Sequence, residues 1–504
     1  MAQWTSAMGA AQLARLLRTQ RGSTPDRGQG ASSRARVPAY RALADGIRLL
    51  VLEGRLPVAT RLPAERELAT ALAVSRTTVA AAFEALRGDG FLTSRRGAGS
   101  WTVVPDGNPV PTGGLEPLPP EAAETVLDLG CAALPAPEPQ LTRAFERALT
   151  ELAPYSRTHG DYPAGLPALR VAIAEHYTAR GVPTMPEQIM VATGAMGGVA
   201  ALAGLFTSRG ERVAVEHPSY ANILQLLRRN GARLVPVPMA GALGGWDLPA
   251  WRQVLRDAAP RMAYVVADFH NPTGALADEE QRRELVAAAR SAGTLLVADE
   301  TMAELPLDAD VELPRPMAAF DPGGATVLTV GSASKAIWAG LRIGWVRAAP
   351  EVIRRMVGAR PYADLGSPVL EQLAVSGLIT GGGWREAVDA RREAVRGNRD
   401  ALVTALRREL PDWEFTVPRG GLTLWVRTGG LSGSRLAEAG ERLGVRVPAG
   451  PRFGIDGAFE AYVRLPFTLA GPLAGEAVAR LASAAELVRS GVHTPGETPR
   501  SQVA

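Results

Sequence analysis

Lysine is almost missing from this chain. Lys335 is the single lysine in 504 residues, beside 54 arginines. Cysteine is as scarce. Cys131 stands alone, which excludes a disulfide framework within one chain and suits a reducing compartment. Long apolar runs are absent too, since none approaches the roughly 20 residues of a membrane helix. Residues 1–37 carry arginines but no uninterrupted apolar core and no cleavage pattern, so they do not read as a signal peptide. These absences predict a soluble, cytoplasmic chain with no membrane partner.

Scarcity makes the surviving lysine informative. Heavy arginine usage suggests a GC-rich genome in which solvated lysines drift to arginine, and one lysine could survive that drift by chance. Chemistry offers another reason. A lysine amine can lose its proton and attack a carbonyl to form a Schiff base, whereas a guanidinium cannot. A position that needs an imine is one where arginine fails.

The length suggests about two to four domains. Hydrophobic content of 46% and charged content of 21% are ordinary for a globular chain with real cores. The net charge of +4 hides an asymmetry: residues 1–104 hold 15 arginines against 7 acidic residues, a net +8, so the rest carries −4. A basic N-terminal piece on a mildly acidic body suggests contact with a polyanion. A solvated, arginine-rich tail would give the same count.

Composition divides the chain. Residues 1–37 hold one amphipathic stretch, "AAQLARLLRT", then Gly/Ser/Pro/Arg-rich sequence, and are expected to form a flexible extension. Residues 38–104 read as helices followed by a short β segment. Residues 105–125 contain six prolines and read as a semi-extended linker. Residues 126–490 alternate helical stretches with short β-branched runs. Residues 491–504 read as a frayed tail.

The strand candidates of the large region are "QIMVA", "RVAVE", "RLVPVP", "AYVVADF", "TLLVADE", "TVLTVGS" and "RIGWVRA". Helical stretches such as "DEEQRRELVAAARSAG" separate several of them. That alternation predicts a mostly parallel sheet with helices on both faces. The last two runs are too close for a crossover, so at least one antiparallel pairing is expected. Ligands gather at the carboxyl ends of strands in such sheets.

In the N-terminal region, "RLPAERELATALAVSRTTVAAAFEALRGDGFLTSRRGAGSWTVV" reads as two helices, a tight "AVS" turn and a hairpin. Pro63 is expected to start the first helix, with Leu68, Ala71 and Leu72 on its inner face. Ser75 suits the N-cap of the second, which carries Val79, Phe83 and Leu86 at helical spacing. This is a helix-turn-helix, whose second helix presents its N-terminal residues Arg76, Thr77 and Thr78 to the major groove. The hairpin around "RRGAGS" would be a wing placed for phosphate or minor-groove contact. About 60 residues here resemble the GntR-type winged helix. The resemblance implies double-stranded operator DNA as partner, with contacts at Arg66, Ser75, Arg76, Thr77, Thr78, Arg96 and Gly97.

Four separated pieces of the large region converge on one chemistry. In "SASKAIWAGLRIGW", Lys335 is the amine, while Ser332, Ser334 and Arg342 suit a phosphate dianion. In "LLVADE", Asp299 ends an apolar strand, a costly place for a carboxylate unless it meets a cation. A Schiff-base lysine with an aspartate facing a protonated pyridine nitrogen is the usual pyridoxal phosphate arrangement. In "DFHNPTG", Asn271 can donate to a phenolic oxygen, and in "VEHPSY", Tyr220 can stack on the ring. Each piece alone is weak, because "NPTG" is also a turn sequence, an aspartate there can cap a helix, and a tyrosine there is commonly core. Their order and the lone lysine carry the reading.

Nearly all of residues 126–490 resemble the class I/II aminotransferases of the fold type I pyridoxal phosphate family. "YPAGLPALRVAIAEHY", "VPRGGLTLWV" and "EAYVRLPF" match as well. The resemblance implies a large, mostly parallel α/β sheet domain with a smaller α/β domain. It implies pyridoxal 5'-phosphate on Lys335, with Gly194 and Ala195 at the phosphate turn "TGAMGG", and Arg464 binding a substrate carboxylate. No metal site is expected. It further implies a homodimer, with Tyr162 reaching a neighbour's phosphate.

Three departures stand out. Ala195 and Met196 replace a hydroxyl residue and a glutamine at the phosphate turn. Thr301 and Met302 stand where a tyrosine usually follows the aspartate. Ala339 replaces a proline. With both regions, the chain resembles the MocR/GabR transcriptional regulators. That implies a pyridoxal phosphate-dependent regulator which senses a small amino compound, or the cofactor itself, through aldimine exchange at Lys335. The alternative is a working aminotransferase with a DNA-binding appendage. The altered pocket argues for at most weak transaminase turnover and a primarily regulatory role.

Overall fold

A computed structural model describes residues 7–22, 38–95, 99–104, 115, 118, 121, 125–240 and 245–490. The N-terminal head has four helices: α1 (Ala10–Gly22), α2 (Ala39–Leu52), α3 (Glu65–Leu72) and α4 (Arg76–Gly88). Two antiparallel strands follow, β1 (Leu92–Arg95) and β2 (Gly99–Thr102). In α2, Leu43, Ile47, Leu50 and Val51 recur at helical spacing and are buried. They meet Leu68 of α3 and Val79, Phe83 and Leu86 of α4 in one core. Burying each such side chain contributes roughly 1.5–3 kcal/mol.

Two expectations for the head need correction. Far from forming a flexible extension throughout, residues 1–37 include α1, whose Leu13 and Leu17 are buried in the head core. The amphipathic stretch had a surface to cover. The first recognition-unit helix starts at Glu65, because Ala64 is still extended (φ −59°, ψ 144°) and leaves Pro63 outside it. Its buried residues are Leu68 and Ala69, with Leu72 half-buried against the same core, so Ala69 takes the place expected for Ala71, two positions on. The turn then closes through Ala73 in the left-handed region, and Ser75 caps α4 by accepting the Thr78 N–H at 3.0 Å.

The body opens with β3 (Leu127–Asp128) and then builds a seven-stranded sheet. Its strands are β4 (Ile189–Thr193), β5 (Arg212–His217), β6 (Arg233–Pro238), β7 (Met262–Val265), β8 (Leu295–Asp299), β9 (Val327–Ser332) and β10 (Ile343–Arg347). All seven coincide with the apolar runs read from the sequence. The spatial order is β4-β10-β9-β8-β7-β5-β6. β10 runs antiparallel to β4 and β9, and the other pairs are parallel. Strands β7, β9 and β10 are buried along their whole length, because helices cover both faces. A smaller unit pairs β11 (Thr423–Arg427) with β13 (Tyr462–Pro466), and β12 (Val445–Arg446) with β3. Parallel pairing brings the ends of β5, β8 and β9 to one edge of the sheet. No helix among the described residues is long and apolar enough to cross a membrane.

Candidate cofactor and effector site

One cavity collects the chemistry at that edge. Lys335, Asp299, Asn271, Tyr220 and Arg464 all line it, together with Ser332, Ser334, Arg342 and Ala195. Strand β9 ends at Ser332, whose hydroxyl accepts the Ser334 N–H at 3.1 Å and starts the one-turn helix Ala333–Ala336. That turn aims Lys335 into the cavity. Its Nζ donates to the Ala132 carbonyl at 2.5 Å. Burial, reinforced by the Arg464 and Arg342 charges, pulls the amine down to about 8. A neutral amine is thus accessible near neutral pH, as nucleophilic attack requires.

Asp299 ends β8 and is 7% exposed. Burial raises its pKa, opposed by donors at both oxygens: Thr301 N–H to Oδ1 at 2.9 Å and the Tyr264 phenol to Oδ2 at 2.6 Å. Asn271 is buried beyond β7, and its Oδ1 has no partner among the described residues. Tyr220 receives a hydrogen bond from Asn222 Nδ2 at 3.0 Å, and burial raises its phenol pKa.

A further group of donors borders the cavity. Helix α5 (Gly194–Phe206) begins at Gly194, in the left-handed region at φ +72°. A Cβ there would sit 3.0 Å from Arg342 Nη2, so glycine keeps the cradle open. Gly344 of β10 is also required, because its Cβ would lie 2.5 Å from the Gly194 carbonyl carbon. The helix N-terminus, the Ser332 and Ser334 hydroxyls and the Arg342 guanidinium together offer amide, hydroxyl and cationic donors. All five departures, Ala195, Met196, Thr301, Met302 and Ala339, also line the cavity.

Arg464, on β13, is fully buried and stacks over the Phe453 ring at 5.0 Å. Burial lowers its pKa to about 10. Nη2 donates to the Gly130 carbonyl, while Nε is buried without a partner among the described residues. An unpaired guanidinium N–H is costly unless an acceptor arrives, and a carboxylate supplies one. Tyr162 is not part of the lining. Its hydroxyl shares a 3.0 Å hydrogen bond with Thr158 Oγ1.

The sequence reading missed several cavity residues. Tyr264 sits inside β7 and looked like strand core, although a buried phenol needs a partner. Gly130 and Ala132 act through carbonyls and carry no side-chain signal. Cys131, between them, lines the cavity. So does Leu115, from the segment read as a semi-extended linker.

On the head, Arg66, Ser75, Arg76 and Thr77 are exposed and Thr78 is half-buried at the start of α4. The Ser75 hydroxyl bonds the Thr77 and Thr78 hydroxyls at 2.7 and 2.8 Å. Arg76 Nε lies 3.5 Å from Glu65 Oε2 with its side chain 73% exposed, a weak tether that leaves it free to engage another anion. Arg96 and Gly97 lie outside the described residues.

Residues 124–478 match the Aminotransferase class I and II family, and the chain belongs to it. Residues 39–101 match the bacterial regulatory proteins of the gntR family, so a GntR helix-turn-helix domain precedes the aminotransferase domain. Among curated relatives, a 2-aminoadipate transaminase of Thermus thermophilus is 34% identical over 70% of this chain and 88% of its own. The probable rhizopine catabolism regulatory protein MocR of Rhizobium meliloti is 29% identical, covering 75% of this chain and 79% of that protein. Among solved structures, the Thermus thermophilus α-aminoadipate aminotransferase LysN, complexed with N-(5'-phosphopyridoxyl)-L-leucine, superposes with a TM-score of 0.66 at 29% identity. That match spans 74% of this chain and 95% of LysN.

Proposed function

We propose that this chain is a cytoplasmic, pyridoxal phosphate-dependent transcriptional regulator that reads a small amino compound, or the cofactor itself, by amine exchange at Lys335. The observation that carries the proposal is a GntR head on a body whose lone lysine faces a buried aspartate and a buried arginine in one cavity. Pyridoxal phosphate, when bound, supplies an aldehyde carbon that condenses with amines. Lys335 is the resident amine, lowered by burial to about 8 so that a neutral fraction is available near neutral pH. Asp299 would pair with the ring nitrogen, with Tyr264 holding its second oxygen. The start of α5 at Gly194 and Ala195, with Ser332, Ser334 and Arg342, takes the phosphate. Asn271 and Tyr220 would hold the ring, and Arg464 would take the carboxylate of the incoming amino compound.

The head acts on double-stranded operator DNA. Arg76, Thr77 and Thr78 enter the major groove from α4, while Arg66, Ser75 and the wing at Arg96 and Gly97 fix the backbone. A homodimer would present two heads to two half-sites. Ligand binding then changes DNA affinity only if the liganded and unliganded bodies hold the head differently. Lys335→Ala tests the mechanism. It should abolish the colour of the loaded protein and every ligand-dependent change in operator binding. An intact ligand response in that variant would refute amine exchange.

The enzymatic reading has its own support, since Lys335, Asp299 and Arg464 are all in place. Titration of the loaded protein with amino acids separates the two. A visible band that shifts and stays shifted marks a sensor. A band that bleaches and returns when a keto acid is added marks a turning-over transaminase.

A further inference from the structure

The head sits on two loops that lead into the walls of the cavity, at Tyr220 and Arg464. At the end of α2, the Leu52 carbonyl accepts the Phe459 N–H at 2.7 Å. Two residues on, the Gly54 carbonyl lies 3.2 Å from His217 Nδ1. On its other side, His217 Nε2 lies 3.0 Å from the Ile455 amide nitrogen. A carbonyl accepts and an amide N–H donates, so these partners fix a neutral tautomer with its proton on Nδ1. The histidine is buried and bridges head and body. Buried Glu53, between Leu52 and Gly54, pairs with Arg427 of β11 at 3.2 Å.

Phe459 is the tightest point. Its backbone holds φ +71°, an outlier for a bulky residue. Its ring lies 4.7 Å from the His217 ring and fills the notch left by Gly54, where a Cβ would come within 2.2 Å. Backbone strain of this kind persists only where surrounding contacts impose it.

Both loops lead back to the ligand end. Three residues after His217 stands Tyr220, in the cavity wall. Between them, the Ser219 N–H donates to the Phe453 carbonyl at 2.9 Å. Phe453 lies under Arg464, and Trp425 touches Phe453 and Phe459 with ring centroids at 5.5 and 5.7 Å. Leu115 of the linker packs on this aromatic cluster and also lines the cavity. A change at Arg464 or Tyr220 therefore meets the head after one layer of aromatic rings.

We infer that His217 and the loop Gly450–Tyr462 form the joint through which occupancy of the cavity sets the position of the DNA-binding head. The inference rests on the sensor reading above and assigns that reading its mechanical path. Neither His217, Phe459 nor Gly54 lines the cavity, so the joint can be altered with the ligand contacts left in place.

The test uses the full chain loaded with pyridoxal phosphate and, as probe, aminooxyacetate. This carboxylate-bearing alkoxyamine condenses with the cofactor's aldehyde carbon and releases Lys335 as the free amine. Gly54→Ala wedges the notch, and Phe459→Leu removes the ring. Both variants should keep the cofactor spectrum and the probe titration of the parent. Parent operator affinity should change about fivefold or more on probe saturation, and in both variants this ratio should fall to one. An undiminished ratio in both would overturn the joint.

Hydrogen exchange separates this failure from failure of the sensor reading. If the parent spectrum responds to the probe and its operator affinity does not, the sensor reading fails. The joint still requires probe-dependent exchange at the Gly54 and Leu56 amides, lost in Gly54→Ala. Exchange at these amides that ignores the probe in the parent chain would overturn it.

Discussion

Tyr264 donates its phenol proton to Asp299 Oδ2 at 2.6 Å, across two adjacent parallel strands beneath the cavity. The bond favours the carboxylate against a burial that favours the neutral acid. Tyr264→Phe removes the donor and changes little volume. It should weaken pyridoxal phosphate binding by about 1.5–3 kcal/mol, the usual worth of a hydrogen bond to a charged group. Titration of the apo variant with the cofactor measures this. An unchanged Kd would reduce the tyrosine to a space filler.

Lys335 gives a pH prediction with a definite sign. Its amine sits at about 8 instead of the ordinary 10.5, chiefly through burial. Only the neutral amine attacks an aldehyde. The rate of cofactor capture should rise about tenfold per pH unit below 8 and level off above it. Stopped-flow absorbance from pH 6 to pH 11 would follow it. A rise continuing past 10 would mean that the pocket does not depress the amine.

Arg464 discriminates by ligand type. Arg464→Gln should cost carboxylate-bearing amines about 1.5–3 kcal/mol of affinity and leave amines without a carboxylate nearly unaffected. Spectral titration with an amino acid and its decarboxylated amine provides the comparison. Equal losses for both would place the carboxylate elsewhere.

On the head, Arg76→Ala should weaken specific operator binding by about 1–3 kcal/mol if the guanidinium reads a base. The contact to Glu65 is exposed, so losing it should barely affect folding. Binding curves on operator and scrambled DNA decide the role. Equal loss on both would make Arg76 a phosphate contact.

Much of this molecule could be read before the structure. The seven sheet strands are apolar runs bounded by turn residues, and burial on both faces leaves such runs little other use. Lys335, Asp299, Asn271 and Tyr220 announced themselves by lying just after those runs. The missed features share a physical reason. Tyr264 is hidden inside a strand whose continuous apolar run explains it as core. Gly130 and Ala132 contribute only backbone. The burial of α1 depends on a surface formed by α2 and α3, which local periodicity cannot supply. Arg464 was visible, but its stacking on Phe453 needed the return of a distant loop.

The carbonyls of Gly130 and Ala132 hold the guanidinium of Arg464 and the amine of Lys335, two residues apart on one strand-like segment. The Gly130 carbonyl thus stands where a ligand carboxylate would meet Arg464, and the Ala132 carbonyl holds the resident amine. A visiting carboxylate displaces the Gly130 carbonyl as it pairs with Arg464, so the free energy of capture is a difference between two sets of contacts. Such a site trades tight retention for ready turnover of occupants, and its state follows the concentration of the visitor in both directions.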